Sequence, residues 1–149
     1  MNIKALTLWQ PHASLVAVGA KTNETRSWAT SYRGPLAIHA ARKWNRELRA
    51  LCLEEPFWTV LRAQPCFEPR AWDATLGCVL AVCDLVDCVP VERIRDSLSE
   101  QEEEFGDYSD GRWAWVLRNV RRLPKPIQAS GMQGLWAWAW PDAVLEVSA

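Results

Sequence analysis

The sequence predicts a mixed α+β domain in which short strands alternate with short helices and irregular loops. Three observations lead there. The two ends of the chain alternate with a period of two, at Ile3 to Trp9 and again at Leu135 to Leu145. A nearly unbroken apolar run from Leu76 to Val89, with valines at 79, 82, 86 and 89, reads as a buried central strand. Between these segments Gly and Pro cut the chain into pieces too short for long helices. At 149 residues the chain fits one domain, residues 1–149, large enough to bury a core without disulfide staples.

In order, Ala5, Thr7 and Trp9 alternate with Leu6 and Leu8, which gives the first strand. Pro11 suits the first turn of a helix, where its missing N–H costs nothing, and Gly19 suits its end, so His12 to Val18 reads as a short helix. An extended segment is expected to begin at Arg26-Ser27-Trp28, which leaves Lys21 and Glu24 on the connecting turn. Gly34 to Ala40 is a second strand. The basic stretch Arg42 to Leu51 reads as an amphipathic helix with Trp44, Leu48 and Leu51 on one face. From Glu54 to Asp73, Pro56, Pro65 and Pro69 restrict helix to a piece around Trp58 to Arg62. Asp84 and Asp87 interrupt the central strand and mark either its exposed end or a polar site. Ser97 to Glu104 reads as a solvated helix or a mobile loop. Trp113 to Leu123 and Leu135 to Leu145 close the fold, the latter with Trp136, Trp138 and Trp140 on one face.

Charge and cysteine content narrow the function classes. The net charge is −1, which argues against binding nucleic acid by bulk electrostatics alone. Residues 1–50 carry eight Lys/Arg against two Glu, residues 51–116 five against fourteen acids, and residues 117–149 four against two. Either the two ends form a basic face with the acidic middle elsewhere, or the charges are simply mixed. Cys52, Cys66, Cys78, Cys83 and Cys88 are an odd set with no CxxC pair, and they read as reduced thiols. With no signal-like segment and no long apolar run, a cytoplasmic protein without a membrane span is expected. Two histidines and no clustered ligands leave no metal site, and phosphate-loop and dinucleotide fingerprints are absent, so no cofactor is expected.

Chemistry concentrates in Gly19-Ala20-Lys21-Thr22-Asn23-Glu24-Thr25-Arg26. Lys21 and Glu24 share a face on a helical turn, and Glu24 and Arg26 share one on a strand. As a turn residue outside the core, Lys21 is expected to be removable without loss of the fold. The alternative to a site here is a surface ion pair. His39 lies on the second strand as a hydrogen-bonded structural group or a ligand contact. The tryptophans on closing strands read as core, whereas Trp9 and Trp28 flank the Lys21 turn and offer stacking surface.

Leu6-Thr7-Leu8-Trp9-Gln10-Pro11, the GxKxxExR run and Tyr32-Arg33-Gly34-Pro35-Leu36 resemble the ASCH domain family of the PUA-like superfamily. Gly77 to Asp84, Gly111 to Leu117 and the segment from Pro126-Ile127 to Gly134-Leu135-Trp136 extend the resemblance over nearly the whole chain. It implies a PUA-like small β-barrel with flanking helices and a cleft that handles RNA or modified pyrimidine nucleosides. Many members carry a basic residue before Gln-Pro, where this chain has Trp9. The expected ligand contacts are Lys21, Glu24, Arg26, Trp9, Trp28 and His39. Bacterial ASCH-like amidohydrolases that deacetylate 4-acetylcytidine use a Lys, a Thr three residues later and a distant acid. Lys21 matches the first, but the Thr position holds Glu24, and Asp84 or Asp87 would have to supply the third. Two further readings therefore stand beside RNA or nucleoside binding. One is a hydrolase or ribonuclease with Lys21 and Glu24 as catalytic pair, and the other is a protein-interaction module that uses its aromatic surface.

Overall fold

Strand β1 (Asn2–Leu8) pairs in parallel with β3 (Gly34–Ala40) and antiparallel with β6 (Leu135–Ala139). Beyond β3 the sheet continues through β4 (Cys78–Pro90), β5 (Trp113–Gln128) and β2 (Asn23–Arg26), giving the order β2-β5-β4-β3-β1-β6. The structure, a computed structural model, describes residues 2–64 and 74–141. Three register shifts interrupt the β4–β5 ladder. Each shift bends and over-twists its strand, so the six-stranded sheet curls into a half-barrel. The chain is thus α+β with a barrel-like sheet and few helices, as the sequence and the family resemblance lead one to expect.

Helix α1 (His12–Ala17) lies inside the curl and packs Ala13, Val16 and Ala17 against Leu6, Leu36, Ile38, Leu85 and Trp115. The opposite face of the sheet buries Ile3, Ala5, Ala37, Val79 and Val82 under Trp136, Trp138 and Trp140. A third cluster, Leu15, Cys52, Phe57, Leu61 and Phe105, joins α1 to α2 (Arg46–Leu51), α3 (Phe57–Arg62) and the end of α5 (Glu100–Glu104). Helix α4 (Val91–Ile94) and a following 3-10 turn lead from β4 to α5. None of these helices is long and apolar enough to cross a membrane.

Several boundaries differ from the sequence reading. Helix α2 starts four residues later than expected because the Asn45 side chain accepts the Leu48 N–H at 2.9 Å and so fixes the N-cap there. Strand β2 ends at Arg26, where an extended segment was expected to begin, and this moves Glu24 from the turn onto a strand. Strand β5 runs on to Gln128, past Leu123. Residues 142–145 of the last expected strand, and residues 65–73 of the Pro-rich excursion with Cys66, lie outside the described residues. The segment at Ser97 to Glu104 is no mere solvated helix, because Glu102 is buried. Asp84 meets Arg121 at 3.3 Å and Asn119 at 2.9 Å, and exposed Asp87 meets Arg33 at 3.5 Å.

Candidate functional site

The site begins with how α1 is closed at both ends. Buried Gln10 takes the Ser14 N–H on its Oε1 at 3.0 Å and donates from Nε2 to Ser14 Oγ and Thr75 Oγ1, so the Gln-Pro pair anchors the helix start. At the other end Gly19, with φ +80°, turns the chain through a conformation that side-chain-bearing residues rarely adopt. The Leu15 carbonyl then accepts from both Ala20 and Lys21 N–H groups at 3.0 Å. Helix α1 is under two turns long, so this reversal brings Lys21 back to His12.

Lys21 is only 2 % exposed, which overturns the expectation that it lies outside the core. Its ammonium has three donors, and three acceptors surround it: Phe105 O at 2.7 Å, His12 Nδ1 at 3.0 Å and Glu24 Oε1 at 3.3 Å. Because an ammonium only donates, His12 must present a lone pair at Nδ1 and carry its ring proton on Nε2. Burial, reinforced by the Lys21 cation, lowers the His12 pKa to about 4. Glu24 also accepts the Thr25 N–H at 3.1 Å and meets Arg26 Nη2 at 3.2 Å. Burial alone would raise its pKa, but the Lys21 and Arg26 cations outweigh burial and hold the carboxyl below its ordinary value. Arg26 in turn donates to Thr7 O at 2.9 Å.

Helix α5 locks this cluster from the far side. Ser99 caps it, and the Glu102 carboxylate accepts the N–H of Thr22 at 3.0 Å and of Asn23 at 2.8 Å. One turn later Phe105 supplies the carbonyl that holds Lys21.

These groups line one lobe of a groove. It has a volume of about 660 Å³ and is bounded by His12, Lys21, Glu24, Arg26 and Phe57, with Glu54, Glu55, Glu104 and Asp107 towards the mouth. A second lobe of about 800 Å³ shares Thr7, Trp9 and Arg26 with it and adds Trp28, His39, Arg42 and the loop 130–134. Trp9 is 52 % exposed, and Lys43 sits 3.8 Å above its ring, so the cation missing before Gln-Pro is supplied by another segment. Trp28, 37 % exposed, stands edge-to-face on Trp115. His39 is tied into structure. Its Nε2 donates to Ala129 O at 2.9 Å, and its Nδ1 pairs at 3.0 Å with Thr7 Oγ1, which accepts from Trp136 Nε1. The loop presses so closely on this ring that a Cβ on Gly131 would fall 2.6 Å from His39 Cε1.

The six residues singled out in the sequence therefore meet in one groove, with Lys21 and Glu24 in the deeper lobe, Trp28 and His39 in the other, and Trp9 and Arg26 on their shared wall. Asp84 and Asp87 line neither lobe, so neither takes the place of a distant catalytic acid. The acidic middle of the chain is not kept elsewhere either: Glu54, Glu55, Glu104 and Asp107 border the deeper lobe. Sequence reasoning passed over His12 and Glu102. The brevity of α1 is a signal for the first, since a helix that short cannot carry the chain far from its start. No local signal exists for Glu102, which lies 80 residues from Thr22.

The sequence profile of the ASCH domain matches residues 6–127. The chain belongs to the ASCH domain family. It is 28% identical over 131 residues to activating signal cointegrator 1 of Homo sapiens, and equally to that of Mus musculus, covering 88% of this chain but 21% of those proteins. It thus spans about a fifth of the length of these relatives. Among solved structures, ASCH from Zymomonas mobilis has a TM-score of 0.52 at 15% identity, covering 97% of this chain and 92% of that one. A serine-to-alanine mutant of that bacterial protein has a TM-score of 0.53 at 18% identity, covering 97% and 93%. At these identities the likeness to other ASCH proteins is one of fold.

Proposed function

We propose that this ASCH domain binds single-stranded RNA, or a modified pyrimidine nucleoside carried in it, along the two-lobed groove. The observation that carries this reading is the placing of exposed Trp9 and Trp28 beside Arg26 and Arg42 on one continuous wall. Indole faces stack on bases of any sequence, and guanidinium groups meet phosphates. Glu24 is held between two cations and accepts a backbone N–H as well. A carboxylate below its ordinary pKa is a weak general base, which favours binding over hydrolysis. Binding to RNA fits a cytoplasmic protein, where the unpaired thiols of Cys52, Cys78, Cys83 and Cys88 stay reduced.

Titration of internally labelled single-stranded RNA, and of cytidine and 4-acetylcytidine, tests the reading. Binding is expected to fall by about tenfold or more in Trp9→Ala and Trp28→Ala, in line with roughly 1–3 kcal/mol per stacked base. No binding at low salt would overturn it and leave the aromatic surface to a protein partner. Turnover of 4-acetylcytidine, lost in Glu24→Gln, would install the hydrolase reading instead.

A further inference from the structure

The groove is electrically lopsided. Its outer lobe carries Arg42, shares Arg26 with the deeper lobe, and has no carboxylate among the described residues that line it. In the deeper lobe the cations are already engaged: Lys21 and Arg26 meet Glu24, and Arg112 meets Asp107 at 3.5 Å. Glu54, Glu55 and Glu104 stand at the same mouth, exposed and without an ion pair among the described residues. His12 adds a neutral donor. His12 Nδ1 is taken by Lys21, so Nε2 carries the ring proton, and it has no hydrogen-bond partner among the described residues.

A phosphate entering this lobe would lose its water and meet three like charges, with every lining cation among the described residues already in an ion pair. A sugar and base would meet an apolar wall at Phe57 and an N–H suited to a carbonyl oxygen. Resting on the RNA-binding reading, we propose that the deeper lobe receives the uncharged terminal nucleoside of a strand, one ending in a free hydroxyl. Glu54, Glu55 and Glu104 then reject strands whose end bears a phosphate, while the outer lobe holds the first phosphodiesters. Specificity of this kind comes from repelling the competitor rather than from added attraction.

Four RNAs of one sequence with an internal label test this: hydroxyl at both ends, phosphate at the 3′ end only, phosphate at the 5′ end only, and the circular strand. Measured at low ionic strength, where surface charges are least screened, one terminal phosphate is expected to weaken binding about tenfold and the other to be neutral. That contrast identifies which end is read. The circle should bind no better than the rejected strand. In Glu54→Gln/Glu55→Gln/Glu104→Gln, whose sites are all exposed, discrimination should shrink to about twofold at unchanged Tm. Equal binding of all four RNAs, or discrimination that survives in the triple variant, would overturn the inference while leaving RNA binding in place. Failure of the hydroxyl-ended strand to bind would remove both.

Discussion

Lys21 is more a structural cation than a free amine. Its ammonium sits among a carbonyl, an imidazole lone pair and a carboxylate, and Lys21→Ala would leave Glu24 buried beside one cation and Phe105 O without its donor. Breaking a buried pair of this kind costs about 3–5 kcal/mol. Thermal unfolding should show Tm lower by roughly 6–15 °C, and a Tm within about 2 °C of wild type would contradict this account. His12 makes a separate prediction. Its folded pKa lies near 4 against an ordinary 6.5, so between these values the unfolded chain binds a proton that the folded chain does not. Stability therefore falls as pH drops from 6.5 to 4, by up to about 3 kcal/mol. Glu24 adds in the same direction below pH 4.5, since its folded carboxyl stays ionised there. Denaturant unfolding of wild type and His12→Gln at about pH 7 and about pH 4.5 checks this, and the variant should lose most of the difference.

The two-residue contact between α5 and the start of β2 is what holds the site in shape. Glu102→Ala would strand the N–H groups of Thr22 and Asn23, at about 1–3 kcal/mol for each unsatisfied group. The expected loss is roughly 3 kcal/mol, read as a lower urea midpoint at unchanged m-value. Glu102→Gln keeps one acceptor and should recover about half. None of this was legible in Ser97 to Glu104, because a run of glutamates looks the same whether one of them faces in or all face out. Elements whose pattern is local were readable. Gly34 to Ala40 is a strand with the expected ends, and the stripe Trp136, Trp138, Trp140 is buried as alternation requires. Helix α2 shows the limit: a 3.6-residue pattern continued back to Arg42, but the cap at Asn45 decided the start.

Net charge says little about a groove whose two halves have opposite character. At −1 overall, the proposed RNA binding rests on a few cations gathered locally, namely Arg26, Arg42 and Lys43. About three phosphate contacts imply a slope near −2 for log affinity against log salt with a single strand. A slope steeper than about −4 would require a second basic surface. The charge segregation between the chain's ends and its middle was visible in the sequence, but the fold's bringing both to one groove was not, since that depends on pairings between distant segments. Strand β2 lies at the sheet edge and pairs with β5, with Asn23 opposite Val116 and Arg26 opposite Trp113, and Lys21 reaches across 84 residues to Phe105. Loop closure of that length must be met before any of these contacts forms. The groove is therefore a late event in folding: on an emerging chain Lys21 lacks its Phe105 carbonyl until residue 105 is out and strand β2 lacks its ladder until residues 113–116 are, so nascent chains shorter than 116 residues should be unable to hold the proposed ligand.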